Sequence, residues 1–234
     1  EDRWIVSRHH RMTQRVQQLL EEYQMGEAQW ELYHFLWNEL CDWSIEMSKV
    51  RLRQGDTAPV SVLAYVLERT LRLLHPFMPF VTEELWQRLT ASLPPEGGLP
   101  ESIVMAPYPE ALPQALDAQA EGEMNVVIGV VRAIRNVRAE YRIAPHQPLE
   151  ALVDAGDGGT TLEEEAQAVQ TLARVEPLRL LVDRSQRPPA HEAVIVVVGK
   201  ATVYLPLRDT VDLEAERLRL RQEEEAAEAN IHRL

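Results

Sequence analysis

Residues 27–53 constrain the fold most, because their apolar side chains recur at steps of three and four residues over several helical turns. That spacing is the period of an amphipathic helix. The inner stripe comprises Ala28, Leu32, Phe35, Leu36, Leu40, Trp43, Met47 and Val50. Trp30 and Trp37 form a neighbouring apolar stripe. A helix that is apolar around much of its girth belongs at the centre of a bundle, so the pattern predicts a helical bundle.

The same period predicts further helices of this bundle at residues 2–23 and 59–75. Residues 75–79 (HPFMP) predict a sharp corner, followed by a helix that begins near Pro79. Proline disfavours helix for the residue before it but suits the first turn of the helix after it. We interpret residues 94–98 (PPEGG) as a loop and residues 102–109 as a short extended tail that closes the bundle.

After about residue 110 the helical pattern gives way to alternating short elements. The elements predicted there are helices near 113–142 and 162–173, and strands at 149–153, 178–182, 193–198 and 201–205. Gly199 and Lys200 join the last two strands as a tight hairpin. Residues 211–234 resemble the start of a coiled-coil helix. The predicted fold class is therefore mainly α, with a helical-bundle domain at 1–110, a small α+β unit at 111–208 and the start of a coiled-coil helix at 209–234.

Composition limits the classes of protein to which the chain can belong. A hydrophobic content of 45% suffices for a buried core. The single cysteine, Cys41, excludes an intrachain disulfide and a cysteine-rich zinc site, which favours a reducing cytoplasm. No apolar stretch approaches the roughly 20 residues that span a bilayer, so we expect no membrane association.

The formal net charge of −13 opposes non-specific binding to nucleic acid, because such affinity comes largely from Lys and Arg at phosphates. The acidic excess lies mainly beyond the first 53 residues. Those residues carry seven Lys or Arg against nine Asp or Glu, whereas residues 54–234 carry 17 against 28. Any RNA contact is therefore expected to be a focused patch.

No catalytic motif emerges from the sequence. It contains no Gly-rich phosphate loop, no nucleophile elbow and no His-Glu-x-x-His metal pair. We therefore expect this segment to be non-catalytic, with no metal and no cofactor of its own.

The end of the helix predicted at 27–53 combines the side chains that suit unstacked nucleotides. Asn38, Asp42, Ile45 and Lys49 follow one another at helical spacing, and Arg51 and Arg53 lie at the C-terminal end. Base edges are read by donors and acceptors, base faces stack on aromatic rings, and phosphates pair with Lys or Arg. The predicted RNA-binding residues are Asn38, Asp42, Trp43, Lys49, Arg51 and Arg53. Trp43 is included as a supporting or stacking residue, although core packing is the favoured interpretation for both Trp37 and Trp43.

Two rows of arginine also share helix faces. They are Arg8, Arg11 and Arg15, and Arg132, Arg135, Arg138 and Arg142. Either row could follow a phosphate backbone, but a solvated face or ion pairing within the protein is the favoured interpretation.

Three segments in order resemble the anticodon-binding region of valyl-tRNA synthetases, which are class I aminoacyl-tRNA synthetases. They are residues 2–8 (DRWIVSR), 33–43 (YHFLWNELCDW) and 73–86 (LLHPFMPFVTEELW). The likeness continues through residues 131–140 (VRAIRNVRAE) and 212–217 (DLEAER), so it covers essentially the whole chain.

This resemblance implies a helical anticodon-binding domain, then a small mixed region, then the first helix of a C-terminal coiled-coil arm. The implied partner is the anticodon stem-loop of a tRNA. The implied parent enzyme joins valine to its tRNA with ATP and magnesium, acts as a monomer in the cytoplasm, and carries its catalytic and editing domains upstream of this segment.

Two alternatives stay open at this point. Isoleucyl- and leucyl-type synthetases share the bundle, although the first often end in a cysteine-rich zinc module that a single cysteine cannot build, and the second usually differ around the corner at residues 75–79. A non-catalytic helical scaffold for protein interactions is the alternative from another class, and the net charge of −13 favours it.

Overall fold

The computed structural model describes residues 1–92, 98–156, 159–183, 186–189 and 191–207. The chain forms two compact units, unit 1 (Glu1–Met124) and unit 2 (Asn125–Leu234). The predicted loop at 94–98, apart from Gly98, and the predicted coiled-coil arm lie outside the described residues.

Unit 1 is helical, as the apolar period predicts. Its helices are α1 (Asp2–Glu21), α2 (Met25–Phe35), a π-helical segment (Leu36–Ile45), α3 (Glu46–Arg53), α4 (Ala58–Leu74) and α5 (Pro79–Ser92). The α2, π and α3 parts follow one another without a break and form what we call the second helix. Its predicted inner stripe is buried except for Leu36, and it packs chiefly against α1. The prediction of a continuous helix inside the bundle is confirmed.

The corner at residues 75–79 is also confirmed, and α5 begins at Pro79 as expected. The tail after α5 differs from the prediction. Within the segment predicted as extended, Ile103–Met105 form a single 3-10 turn, with extended backbone at Ser102 and Ala106 on either side. The Glu83 carboxylate accepts hydrogen bonds from the Ser102 hydroxyl (2.9 Å) and the Ile103 N–H (3.1 Å), which holds this turn against α5. Ile103 packs with Leu71 and Trp86 in a small core cluster.

Unit 2 is an α+β unit with a four-stranded mixed sheet in the order β2-β1-β4-β3. The strands are β1 (Ala151–Asp154), β2 (Leu178–Leu180), β3 (Ala193–Val198) and β4 (Ala201–Pro206). β1 and β2 are parallel, and helices α7 (Gly159–Glu164) and α8 (Ala166–Ala173) connect them. β3 and β4 pair as the predicted hairpin, with Gly199 at a φ of +57° in its turn.

Helix α6 (Ala118–Glu140) contains the boundary between the units, which falls after Met124 and so later than the boundary placed at residue 110 from the sequence. Ion pairs explain why residues 111–124 belong to unit 1. The Glu121 carboxylate lies 2.9 Å from the Arg11 guanidinium, and Asp117 pairs with Arg3 at 2.6 Å. Together with the pair of Arg8 and Glu39 at 2.7 Å, these contacts confirm the ion-pairing interpretation for Arg8 and Arg11.

Candidate nucleic-acid interface

The outer face of the second helix carries a row of exposed aromatic side chains, which we call the aromatic strip: Trp30, Tyr33, His34 and Trp37. The exposed fractions of Trp30, Tyr33 and Trp37 are 55%, 58% and 50%. The ring centroids of Trp30 and His34 lie 4.5 Å apart, and those of Tyr33 and Trp37 lie 6.2 Å apart. Solvent-facing rings of this kind offer surfaces on which unstacked bases can stack.

The core-packing interpretation of Trp37 is wrong. Trp37 lies on the side of the second helix that faces solvent, in line with Trp30, whereas Trp43 lies on the core side. The spacing of Trp30, Tyr33 and Trp37 at three and four residues was the available signal, since it places all three rings on one face. Sequence reasoning missed this strip because an aromatic stripe is more often buried than exposed.

Polar side chains continue the same face toward the C-terminal end of the second helix. Asn38, Asp42, Lys49 and Arg53 form this polar strip, and all but the half-buried Asn38 are exposed. The Asn38 side-chain amide lies 3.0 Å from the His34 ring, so the two strips adjoin. Lys49 pairs with Glu46 one turn earlier. The structure thus brings together four of the six predicted site residues.

Arg51 points away from this face and binds carboxylates of unit 1. Its guanidinium lies 2.8 Å from both Glu1 and Asp2 and 2.7 Å from Asp56. Burial by itself lowers the pKa of Arg51, but the hydrogen bonds to Asp2, Glu1 and Asp56 raise it well above its ordinary value. A guanidinium held this way joins the start of α1 to the end of the second helix, so we correct its assignment from RNA contact to a structural role.

Trp43 needs a similar correction. It is 4% exposed and lies on the core side of the second helix, so no face of its ring is open to a base. Burial of an aromatic ring stabilises the bundle. The core-packing interpretation is confirmed for Trp43, which leaves a supporting role and not a stacking one.

Replacing Arg51 by alanine should destabilise unit 1 by about 1 kcal/mol, because the Glu1 and Asp2 carboxylates lose their common partner. All five tryptophans lie in unit 1, so urea unfolding followed by tryptophan fluorescence reports on this unit. Arg53→Ala is the matched control and should change the free energy of unfolding by less than about 0.5 kcal/mol. Equal effects of the two substitutions would contradict the structural role of Arg51.

Two further findings concern the described residues only. Among them, no group of three or more His, Cys, Asp or Glu side chains is arranged to hold a metal ion. The helices in the part of the chain that the structure describes include none with the length and apolar character needed to cross a membrane.

Comparison with known proteins identifies the family. The family model described as the anticodon-binding domain of tRNA ligase matches residues 2–153, which include the second helix and both strips. The chain belongs to this family of tRNA-ligase anticodon-binding domains. The predicted helical anticodon-binding domain is thereby confirmed.

Valine–tRNA ligases of three organisms are similar to almost the whole of this chain. The protein of Dehalococcoides mccartyi (strain CBDB1) is 44% identical over 236 residues, covering 100% of this chain and 27% of the relative. That of Carboxydothermus hydrogenoformans is 42% identical, covering 100% of this chain and 26% of the relative. That of Geobacillus stearothermophilus is 40% identical, covering 95% of this chain and 25% of the relative. The chain thus spans about a quarter of the length of these relatives, which agrees with the resemblance to the valine type.

Proposed function

We propose that this segment docks the anticodon stem-loop of a tRNA within a ligase that joins valine to its tRNA. The observation that carries the proposal is the exposed face of the second helix, where the aromatic strip adjoins the polar strip inside the part of the chain matched by the anticodon-binding family. Activation of valine by ATP and magnesium would belong to other parts of the ligase, so we propose no cofactor for this segment.

The aromatic strip supplies stacking surfaces for splayed-out bases. Stacking of a base on an aromatic side chain contributes about 1–3 kcal/mol and tolerates any base, since every base has a π face. The ring contact between Tyr33 and Trp37 makes one ring support the other and restricts its movement on the helix surface. Such preorganised rings lose little conformational freedom when a base binds.

The polar strip supplies the groups that distinguish bases and hold phosphates. Asn38 and Asp42 offer an amide and a carboxylate to base edges, whereas Lys49 and Arg53 offer positive charge to the backbone. Because the chain carries 37 Asp and Glu against 24 Lys and Arg, it repels a polyanion over most of its surface. Binding would therefore depend strongly on these few cations and on the stacking rings.

The test compares an anticodon stem-loop RNA of valine tRNA with the same hairpin carrying a different anticodon. Trp37→Ala should weaken binding about tenfold while leaving the salt dependence unchanged, because stacking releases no counterions. The double change Lys49→Ala and Arg53→Ala should reduce the slope of log K against log[salt] by about 1 to 2. Fluorescence anisotropy over a salt series measures both quantities.

Matched controls for this test come from α5. Phe80 is 90% exposed, and Arg88 is exposed and paired with Glu84 one turn away, as Lys49 is with Glu46. Phe80→Ala and Arg88→Ala should leave binding of the hairpin unchanged. The proposed function would be contradicted if the unsubstituted chain bound both hairpins equally. It would also be contradicted if the variants of the two strips bound the valine hairpin as tightly as the unsubstituted chain.

One observation favours a second contact, made with protein. The α5 side chains Phe80, Val81 and Leu85 are exposed apolar groups, and such patches usually mark protein interfaces. We propose that this part of the segment meets the catalytic or editing domain of the same ligase, which would act as a monomer in the cytoplasm. The single cysteine, Cys41, fits a reducing compartment.

A further inference from the structure

Positive charge is concentrated in one part of unit 2, against the acidic balance of the chain. Residues 125–147 carry the four arginines Arg132, Arg135, Arg138 and Arg142 against a single carboxylate, Glu140. Residues 166–176, which include α8, add Arg174 and one carboxylate, Glu176. This segregation, in a protein of formal net charge −13, produces a local positive field that attracts anions.

Two of these arginines occupy backbone positions that favour glycine. Helix α6 ends with the Ile143 N–H donating to the Arg138 carbonyl at 2.8 Å, and Arg142 lies between them at a φ of +52°. Helix α8 ends the same way, with the Val175 N–H donating to the Gln170 carbonyl at 3.1 Å and Arg174 at a φ of +54°. Both ends are Schellman motifs, whose left-handed residue is usually glycine, because a side chain there costs about 1 kcal/mol.

Neutralising the end of α8 does not account for Arg174. Other arginines already satisfy the last carbonyls of α8: Arg135 donates to the Leu172 carbonyl at 2.9 Å and Arg138 to the Arg174 carbonyl at 3.0 Å. The buried Arg138 also donates to the Ala144 carbonyl at 2.7 Å, so one guanidinium ties the two helix ends together. A cation near a helix end contributes only about 0.3–1 kcal/mol, which roughly cancels the strain of the left-handed position.

The two helix ends also border grooves large enough for a nucleotide backbone. Arg174 lines a groove of about 430 Å³ together with one carboxylate, Glu176, and the polar side chains of Gln147, Gln167, Gln170 and Thr171. It also lines a second groove of about 310 Å³ together with Arg135 and Arg138. Amide and hydroxyl groups beside a guanidinium form the hydrogen bonds that phosphate and ribose oxygens accept and donate.

We propose that this surface, which we call the basic end of unit 2, binds the phosphodiester backbone of RNA, with Arg142 and Arg174 as its phosphate contacts. The proposal rests on the proposed function for the identity of the RNA, a tRNA, and adds a contact on unit 2 that does not read the anticodon. Such contacts fix the position of a nucleic acid without reading its sequence. An acidic protein segment is the alternative partner. The amide side chains of the groove favour RNA, because they can bind ribose hydroxyl groups, which an acidic protein segment does not offer.

The test replaces Arg142 and Arg174 together by glycine in the full chain. Glycine relieves the left-handed strain, so thermal unfolding should show a variant at least about as stable as the original. Its affinity for full-length valine tRNA should fall about tenfold at about 0.15 M salt, and the slope of log K against log[salt] should decrease by about 1.5. The matched control is Arg88→Ala with Arg179→Ala, which removes two exposed, ion-paired arginines and should leave binding unchanged.

The outcomes separate this inference from the proposed function. If the glycine variant binds tRNA with the original affinity and salt slope while the chain still distinguishes anticodons, the basic end is not a contact and the proposed function stands. If anticodon changes have no effect but the glycine variant still binds tRNA more weakly, the proposed function fails and the basic end stands. Polyglutamate that binds as tightly as tRNA, with the same dependence on the two arginines, would assign the surface to an acidic protein and overturn the RNA proposal. A chain that binds no tRNA would also overturn the RNA proposal.

Discussion

Replacing Gly129 by alanine should destabilise unit 2 by about 2 kcal/mol, although alanine is the better helix former by about 1 kcal/mol. Gly129 lies within α6, where an added Cβ would come 2.4 Å from Cγ1 of Val198 in β3. Because valine is β-branched and stiff about χ1, its methyl group cannot turn away at little cost. Relief would require a shift of helix or strand, and overpacking of this kind costs about 1–3 kcal/mol or more.

Gly122 provides the matched control in the same helix. A Cβ on Gly122 meets nothing within 4 Å, so Gly122→Ala should stabilise by about 0.5–1 kcal/mol through helix propensity alone. Adding Val198→Ala to Gly129→Ala should restore part of the loss. Hydrogen exchange of the amides in β1 to β4 measures the effect of Gly129→Ala, since unit 2 contains no tryptophan. Urea unfolding followed by tryptophan fluorescence measures the effect of Gly122→Ala, since Gly122 lies in unit 1 with all five tryptophans. A stabilising Gly129→Ala would show that the helix and strand do not hold this close contact.

The helices and strands were accessible to sequence reasoning because each depends on local signals. Apolar side chains at steps of three and four located the second helix, the prolines located the start of α5, and Gly199 located the hairpin. The 3-10 turn at Ile103–Met105 was missed because it depends on Glu83, a residue about twenty positions earlier in the chain. No local pattern encodes such a partner.

The candidate site was predictable to the extent that helix periodicity determines it. Asn38, Asp42, Lys49 and Arg53 share the exposed face that their spacing indicates, whereas Arg51 lies two positions beyond Lys49 and therefore on another side of the helix. Its partners Glu1 and Asp2 are distant in sequence, so only the packing of α1 against the second helix reveals them. Which of the tryptophans face solvent likewise depends on where the neighbouring helices lie.

Charge placement gives the acidic chain a consistent interpretation. Three arginines of α1 are neutralised within unit 1, since Arg3 pairs with Asp117, Arg8 with Glu39 and Arg11 with Glu121. The polar strip and the basic end of unit 2 are the cationic surfaces on which our two RNA proposals rest. An acidic remainder around such patches weakens non-specific binding more than specific binding, because the latter adds stacking and hydrogen bonds that salt does not screen.

Acidification should destabilise unit 1 through His9 by about 2 kcal/mol between about pH 7.5 and about pH 5. His9 is fully buried in α1, and neither ring nitrogen has a hydrogen-bond partner among the described residues. Burial, reinforced by the charges of Arg69, His10 and Arg72, lowers the pKa of His9 from 6.5 to about 3. The rings of Phe35 and Tyr65 complete its surroundings, at centroid distances of 5.6 Å and 6.5 Å.

The sign follows from which state binds the proton. Between a pKa of 6.5 in the unfolded chain and about 3 in the folded chain, the unfolded state binds more protons. The stability associated with neutral His9 is therefore complete above pH 6.5 and is lost progressively as the pH falls toward 3. At about pH 5 the loss amounts to about 2 kcal/mol, before most carboxylates begin to protonate.

His9→Leu removes the titrating group and should flatten the pH dependence of the free energy of unfolding in this window. Urea unfolding followed by tryptophan fluorescence at both pH values measures the effect, since all five tryptophans lie in unit 1. The exposed His146 is the control, and His146→Leu should retain the pH dependence of the original chain. A His9→Leu variant that loses as much stability on acidification as the original chain would show that groups other than His9 cause the pH dependence, and would contradict the prediction.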